Sequence, residues 1–214
     1  MNQQFTFTNL FRVFVLTLFF FSLSQNVQAQ GVPTGFADTE HVGGFSQAVG
    51  LTFDANGRMY VWEKRGIIWI VEDGVRLPNP LLDISEEVGN WRDFGMLGVA
   101  LDPNFLSNGK IYLLYIVDRH HLMNFGTPSY NPNTNEYFDA TIGRITRYTA
   151  TASSNFTEVD YSSRKVLFGA TADDGFPNLH QSHGTGHLVF GTDGTLLASL
   201  GDGASYNSVD VGSA

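Results

Sequence analysis

The residues best suited to acid–base chemistry lie in one stretch near the end of the 214-residue chain. His180, His183 and His187 fall within the segment NLHQSHGTGHLVF. Imidazoles are common zinc and copper ligands, and this spacing would align them on one face of a helix. Gly184 and Gly186 oppose a helix there. Three interpretations stay open: polar loop histidines, one histidine acting as a base, and, ranked last, a three-histidine metal site.

A histidine base needs an acid that orients it, and Asp202 is the candidate. It follows the strand that returns from His183 through an Asp193-Gly194 turn, and the two ends of an antiparallel hairpin are neighbours. A carboxylate that accepts from one imidazole nitrogen fixes the tautomer, so that the other nitrogen can take a proton. The sequence predicts a His183–Asp202 pair, although Asp-Gly is also a common turn dipeptide.

The elements that must position these residues are short strands. An alternating apolar run, a turn of Asn or Asp followed by Gly, and a second run rich in β-branched and aromatic residues recur along the chain. The copies are residues 51–63, 99–117 and 188–202, with bends at Asn56-Gly57, Asn108-Gly109 and Asp193-Gly194. Further strands are predicted at 66–74 and 141–150, and irregular loops at 120–139 and 173–187.

The spacing of the copies favours a β-propeller. They begin at residues 51, 99 and 188, which fits a loose period of about 45 residues with several strands in each period. A β-sandwich has strands at similar spacing but gives no reason for the same hairpin to return. Loops on such a rigid scaffold are where binding and catalytic residues concentrate.

Composition excludes several classes of protein. The chain carries 12 Lys and Arg against 21 Asp and Glu, for a net charge of −9, which argues against a nucleic-acid-binding groove. It has no cysteine, so disulfide scaffolds, thiolate zinc sites and cysteine nucleophiles are excluded. No nucleophile elbow, phosphate-binding loop or dinucleotide fingerprint occurs. With 43% hydrophobic residues, the chain can bury a core.

The first residues are typical of an export signal. Val13 to Leu23 form an apolar run, and Val27 and Ala29 occupy the small-residue positions of a cleavage site. The run is too short to span a bilayer comfortably. We therefore predict a signal peptide at residues 1–29, with no stable membrane span after cleavage and a secreted or periplasmic location for residues 30–214. A buried N-terminal helix and a membrane anchor are the alternatives.

Two blocks of the sequence resemble a known family. They are FGMLGVALDPNFLSNGKIYLLYI at 94–116 and SHGTGHLVFGTDGTLLASLGD at 182–202, with less specific similarity at 50–74 and 140–150. These blocks resemble the soluble quinoprotein glucose/sorbosone dehydrogenases, which are six-bladed β-propellers that use pyrroloquinoline quinone. The resemblance implies an all-β fold and oxidation of an aldose or related sugar.

The resemblance also implies roles for individual residues. His183 would be the general base that takes the proton from the anomeric hydroxyl of the sugar while hydride passes to the quinone. Asp202 would orient that histidine. Asp93 stands where the family often has Gln or Glu against the substrate, and Ser182 and Asn207 stand at neighbouring substrate-side positions.

The same resemblance implies pyrroloquinoline quinone and calcium as cofactors, and an external electron acceptor as a partner. The family takes its quinone-binding cations and calcium ligands from later blades, so these ligands are expected beyond residue 214, and no metal ligand is expected in this chain.

At about 45 residues per blade, residues 30–214 supply about four blades at most. We therefore expect an incomplete propeller that is inactive alone. His187, where the family usually has Arg, departs from its pattern. The alternative is a non-catalytic secreted propeller that binds carbohydrate or protein.

Overall fold

The structure is a computed structural model that describes residues 31–136 and 140–205. The predicted signal peptide at 1–29 and the predicted substrate residue Asn207 lie outside the described residues. The chain divides between Glu40 and His41 into two compact units. In the described part of the first unit, the Phe36 N–H donates to the Pro33 carbonyl at 3.0 Å and closes a turn. All the described strands belong to the second unit.

The first sheet is antiparallel and five-stranded. Its strands are β1 (Ala48–Phe53), β2 (Met59–Glu63), β3 (Ile67–Glu72), β4 (Val75–Arg76) and β5 (Leu82–Asp83). They follow the order β1-β2-β3-β4, and β5 also pairs with β3. The predicted bend at Asn56-Gly57 joins β1 to β2: Gly57 has φ +84°, a conformation that costs glycine little. The strand predicted at 66–74 is confirmed as β3.

The second sheet is also antiparallel and five-stranded. Its strands are β6 (Met96–Leu101), β7 (Lys110–Ile116), β8 (Thr141–Ala150), β9 (Val159–Phe168) and β10 (Phe176–Asn178). β8 pairs with β7, β9 and β10. The strand predicted at 141–150 is confirmed as β8.

Short helices occupy two of the connections in the second sheet. Helix α1 (Phe105–Asn108) lies in the predicted Asn108-Gly109 bend and ends at Gly109, which is left-handed with φ 65°. Helix α2 (Arg119–Asn124) covers the first residues of the segment 120–139, so the prediction of an entirely irregular loop there is wrong. Asp118 caps α2 because its carboxylate accepts the His121 N–H at 3.1 Å. A 3-10 turn spans Ala152–Ser154.

The third sheet is the hairpin of β11 (Thr185–Phe190) and β12 (Leu196–Leu200). Its bend falls at Asp193-Gly194 as predicted, and the Asp193 carboxylate accepts the Thr195 N–H at 3.0 Å. One apolar cluster joins the first two sheets, and a smaller cluster of Ala100, Leu114, Ile145 and Leu188 joins the second to the third. The described chain is thus all-β, with successive antiparallel sheets packed as propeller blades.

A buried ionic cluster fixes the linker between the first two sheets. Glu87 follows β5, and its Oε1 accepts from Arg144 at 2.6 Å, from Arg164 at 2.7 Å and from the Tyr115 hydroxyl at 2.6 Å. Burial acts to raise the pKa of Glu87, but Arg164, Tyr115 and Arg144 outweigh burial and lower it. The linker that Glu87 holds continues to Asp93 and enters β6.

The connections bring the chemistry-bearing residues to one edge of the sheets. Lys64 lies in the turn from β2 to β3, and its carbonyl accepts the Met96 N–H at 2.7 Å where β6 begins. The segment before β11 carries His183, and the segment after β12 carries Asp202. Since β11 and β12 pair through Thr185 and Leu200, both segments leave the hairpin at the same end.

Candidate active site

The structure brings His183 and Asp202 together. Nδ1 of His183 lies 2.9 Å from Oδ1 of Asp202. An ionised carboxylate can only accept, so Nδ1 carries the hydrogen and acid–base exchange is assigned to Nε2. The His183 side chain is 45% exposed and that of Asp202 is 70% exposed, so the pair faces solvent. The geometry expected from the hairpin is therefore present, while the catalytic roles of the two residues stay predictions.

Close backbone packing explains why glycines flank Asp202. A Cβ on Gly201 would lie 2.2 Å from the His183 carbonyl oxygen, a distance that no side chain allows. The Gly201 N–H donates to the Gly184 carbonyl and the Gly203 N–H to the His183 carbonyl, both at 2.7 Å. The segment after β12 is thus hydrogen-bonded directly to the backbone of His183 and of the adjacent Gly184.

The charge of Asp202 is fixed by its neighbours. Oδ1 accepts the Ala204 N–H at 3.2 Å as well as the His183 ring. These two contacts, with the Ala204 N–H the larger, lower the pKa of Asp202 below its usual range. Asp202 is therefore ionised at neutral pH and able to stabilise a protonated His183.

Two of the predicted substrate residues lie beside this pair. Oδ2 of Asp93 is 3.4 Å from the His183 N–H, and the Asp93 N–H donates to the Gln181 carbonyl at 3.2 Å. Ser182 is only 5% exposed, and its hydroxyl donates to the Ala204 carbonyl at 3.0 Å. All three contacts are made within the protein, so a substrate role for Asp93 and Ser182 stays a prediction.

The three histidines do not form a cluster. His180 contacts the Ser182 hydroxyl through Nδ1 at 2.9 Å, whereas the His187 ring stacks on Trp62 with centroids 6.4 Å apart. Within residues 31–136 and 140–205, no group of three or more His, Asp or Glu side chains could hold a metal ion. His183 is the member of the three that lies against a carboxylate, Asp202, placed to orient its ring.

A cation at the site escaped the sequence analysis. Lys64 lies close enough to Asp93 for the carboxylate to act on its charge, while burial lowers the pKa of Lys64. Its stem packs against Gly95, where an added Cβ would lie 2.5 Å from Lys64 Cγ. The sequence feature that could have pointed to Lys64 is the charged triplet Glu63-Lys64-Arg65 at the end of a predicted strand.

Cavities border the site without enclosing it. One of about 200 Å³ is lined by residues that include Gly184, Gly201 and Asp202. A larger one of about 610 Å³ runs along β1, β6 and β11 and includes neither His183 nor Asp202 in its lining. The chemistry of the His183–Asp202 pair, rather than cavity size, therefore defines the candidate site. In the part of the chain that the structure describes, no helix has the length and apolar character to cross a membrane.

Similar proteins include both a binding protein and sugar dehydrogenases. The Hedgehog-interacting protein of Homo sapiens is 30% identical over 177 residues, which are 78% of this chain and 22% of that protein. The chain therefore spans about a fifth of the length of that relative.

Solved structures share the fold at low identity. The pyrroloquinoline quinone-bound aldose sugar dehydrogenase of Streptomyces coelicolor matches with a TM-score of 0.53 at 20% identity, over 76% of this chain and 40% of that one. A Thermus thermophilus protein described as an oxidoreductase of the glucose dehydrogenase type matches with a TM-score of 0.56 at 22% identity, over 79% of this chain and 41% of that one. Finally, the sequence model of Glucose / Sorbosone dehydrogenase matches residues 45–212, and the chain belongs to this family.

Proposed function

We propose that the complete protein oxidises an aldose or related sugar, with hydride transfer to pyrroloquinoline quinone. The observation that carries the proposal is the pair in which Nδ1 of His183 meets an ionised Asp202 at 2.9 Å. Family membership and the fold shared with sugar dehydrogenases support it. The predicted signal peptide and the acidic composition fit a secreted or periplasmic enzyme that acts on neutral sugars.

The chain's own contribution is proton transfer. Nε2 of His183 takes the proton of the anomeric hydroxyl, and Asp202 stabilises the imidazolium that forms. When bound, the quinone supplies a two-electron acceptor, which an external acceptor reoxidises. Because the Asp202 carboxylate is itself bonded to the Ala204 N–H, the imidazole ring is held in one orientation while the proton moves.

The residues present fit the quinone in part. The exposed ring of His183 supplies the base. The carboxylates of the quinone need cations, and these cations and the calcium ligands are expected in parts of the protein outside this chain. Asp93, Ser182 and Asn207 remain the proposed substrate side.

A second candidate function is a non-catalytic secreted propeller that binds carbohydrate or another protein. The similarity to Hedgehog-interacting protein favours it, since that protein is named for an interaction. The high exposure of the His183–Asp202 pair in the described part of the chain is compatible with both candidates. A fold by itself does not decide function.

Reconstitution of the complete protein separates the candidates. The protein is loaded with calcium and quinone, and dye-linked aldose oxidation is measured for wild type, His183→Ala and the exposed control His41→Ala. Loss of the base should lower kcat by about 10²- to 10⁴-fold, and the control should match wild type. An inactive wild type, or a fully active His183→Ala, contradicts the proposal. Sugar binding without turnover supports the second candidate.

A further inference from the structure

His183 has an unusual backbone conformation for the residue that carries the base. Its φ is +54°, in the left-handed region that residues with a Cβ rarely adopt. Such a conformation persists only where the surroundings hold it. The Gly203 N–H donates to the His183 carbonyl at 2.7 Å. This bond holds the His183 conformation from within the β11–β12 hairpin.

Asp93 holds the same segment from a different sheet. Its Oδ2 faces the His183 N–H at 3.4 Å, and its own N–H donates to the Gln181 carbonyl at 3.2 Å. One residue thus contacts the loop on both sides of Ser182. Since 90 residues separate Asp93 from His183, this contact ties the linker before β6 to the loop before β11.

The backbone presents Asp93 in a fixed direction. The Phe94 N–H donates to the Trp91 carbonyl at 2.9 Å, which closes a turn around Asp93. Arg92 within that turn is itself left-handed, with φ +48°. Phe94 is buried, so the far side of the turn is anchored in the core.

Lys64, in the turn between β2 and β3, lies near enough to Asp93 for their charges to interact. Its carbonyl accepts the Met96 N–H at 2.7 Å, and its stem passes over Gly95, where any Cβ would clash with it. The opposite charges of Lys64 and Asp93 attract each other. Its backbone contact with Met96 and its packing against Gly95 thus fix Lys64 beside the start of β6, next to Asp93, and its charge attracts that carboxylate.

We propose that Asp93 is a positioning residue that holds the backbone of His183 in its left-handed conformation, with Lys64 as its counter-charge. This role is separate from the substrate contact proposed for Asp93, because it acts through the backbone of His183. Its effect on turnover rests on the proposed function, but its effect on the position of the His183 ring does not.

The first test measures the His183 ring without cofactor or sugar. The complete protein is labelled with ¹⁵N-histidine, and the His183 signals are identified by their loss in His183→Ala. Asp93→Ala should shift or broaden these signals, whereas Asp93→Asn, which retains an oxygen acceptor but loses the charge that Lys64 attracts, should move them less far. Asp173→Ala, a change at an exposed aspartate elsewhere, should leave them in place. Unchanged His183 signals in a folded Asp93→Ala protein overturn the proposal.

The second test measures turnover in the protein loaded with calcium and quinone. A displaced base should lower kcat by about 10- to 100-fold with little change in KM. A raised KM with unchanged kcat and unchanged His183 signals instead assigns Asp93 to the substrate and refutes the positioning role. If wild type does not oxidise sugars, the proposed function fails, and the labelling test still decides the role of Asp93.

A double-mutant cycle tests the part played by Lys64. Lys64→Met keeps the stem against Gly95 and removes the charge. Alone it should move the His183 signals in the same direction as Asp93→Ala, but less far. In the Asp93→Ala background it should add nothing, because the two residues act as one unit. Equal effects of Lys64→Met in both backgrounds contradict its role as the counter-charge.

Discussion

Replacement of Glu87 by glutamine should strongly destabilise the protein. Glu87→Gln keeps the shape of the side chain but removes the charge that neutralises Arg144 and Arg164. The Glu87 side chain is 8% exposed, and both guanidinium groups lie within 2.7 Å of its Oε1. The change would leave two cations beside a neutral amide at the junction of the first two sheets.

The expected loss is about 3 kcal/mol in the free energy of unfolding. Removing one partner of a buried ion pair costs about 3–5 kcal/mol. The lower end applies here because the Arg164 side chain is 34% exposed, so water can solvate part of its charge. Arg144 also keeps a hydrogen bond from Nε to the Gly169 carbonyl at 2.5 Å, and this bond limits how much stabilisation the Arg144 guanidinium loses.

Urea unfolding monitored by tryptophan fluorescence measures this loss. Glu86→Gln is the matched control, since Glu86 is exposed and accepts from the Tyr130 hydroxyl at 2.5 Å without an arginine beside that oxygen in the described part of the chain. We expect the control to stay within about 0.5 kcal/mol of wild type. A loss below about 1 kcal/mol in Glu87→Gln, at an unchanged m-value, would refute the reasoning that the cluster depends on this charge.

Low pH should remove the difference in the free energy of unfolding between wild type and Glu87→Gln. The folded-state pKa of Glu87 is lowered, so its contribution to stability is complete above the pKa of an unfolded glutamate, about 4.3. That contribution is lost as the pH falls through the lower folded value. Wild type should therefore approach Glu87→Gln in stability at the acidic end of a urea series, and a constant difference down to low pH contradicts this.

Three further predictions concern the third sheet. Leu188→Ala should cost about 2–5 kcal/mol in urea unfolding, because this side chain is 1% exposed, and the adjacent Val189→Ala, at 51% exposed, should cost far less. Gly201→Ala should lower the melting temperature and weaken the active-site pair, because its Cβ would lie 2.2 Å from the His183 carbonyl oxygen; an unchanged melting temperature contradicts it. The Asp202 carboxylate should titrate below about 3.9 by NMR, and in His183→Ala its midpoint should rise only part of the way, because the backbone donor remains.

Local patterns in the sequence predicted the hairpins and the pair that they form. Asn56-Gly57 and Asp193-Gly194 mark bends because glycine takes up positive φ freely there. Asp202 meets His183 because the ends of one hairpin are neighbours, a relation that needs no knowledge of the rest of the fold. The strand β9 was missed since most of its residues are exposed and it lacks a clear apolar alternation.

Contacts between distant segments could not be predicted in the same way. Asp93 and His183 lie 90 residues apart, and Glu87 lies 57 residues from Arg144 and 77 from Arg164. Each pair meets only because separate sheets pack side by side, which short-range periodicity does not encode. Lys64 was missed for the same reason, since its partner comes from the next sheet.

The left-handed backbone of His183 has a consequence for the course of selection. A residue with a Cβ in that conformation costs about 1 kcal/mol or more relative to glycine. His183→Gly should therefore gain thermal stability while it removes the base. A library of variants of this protein selected only for heat resistance would drift away from histidine at this position, whereas selection for turnover would hold it there. Stability and activity are in direct opposition at this one residue.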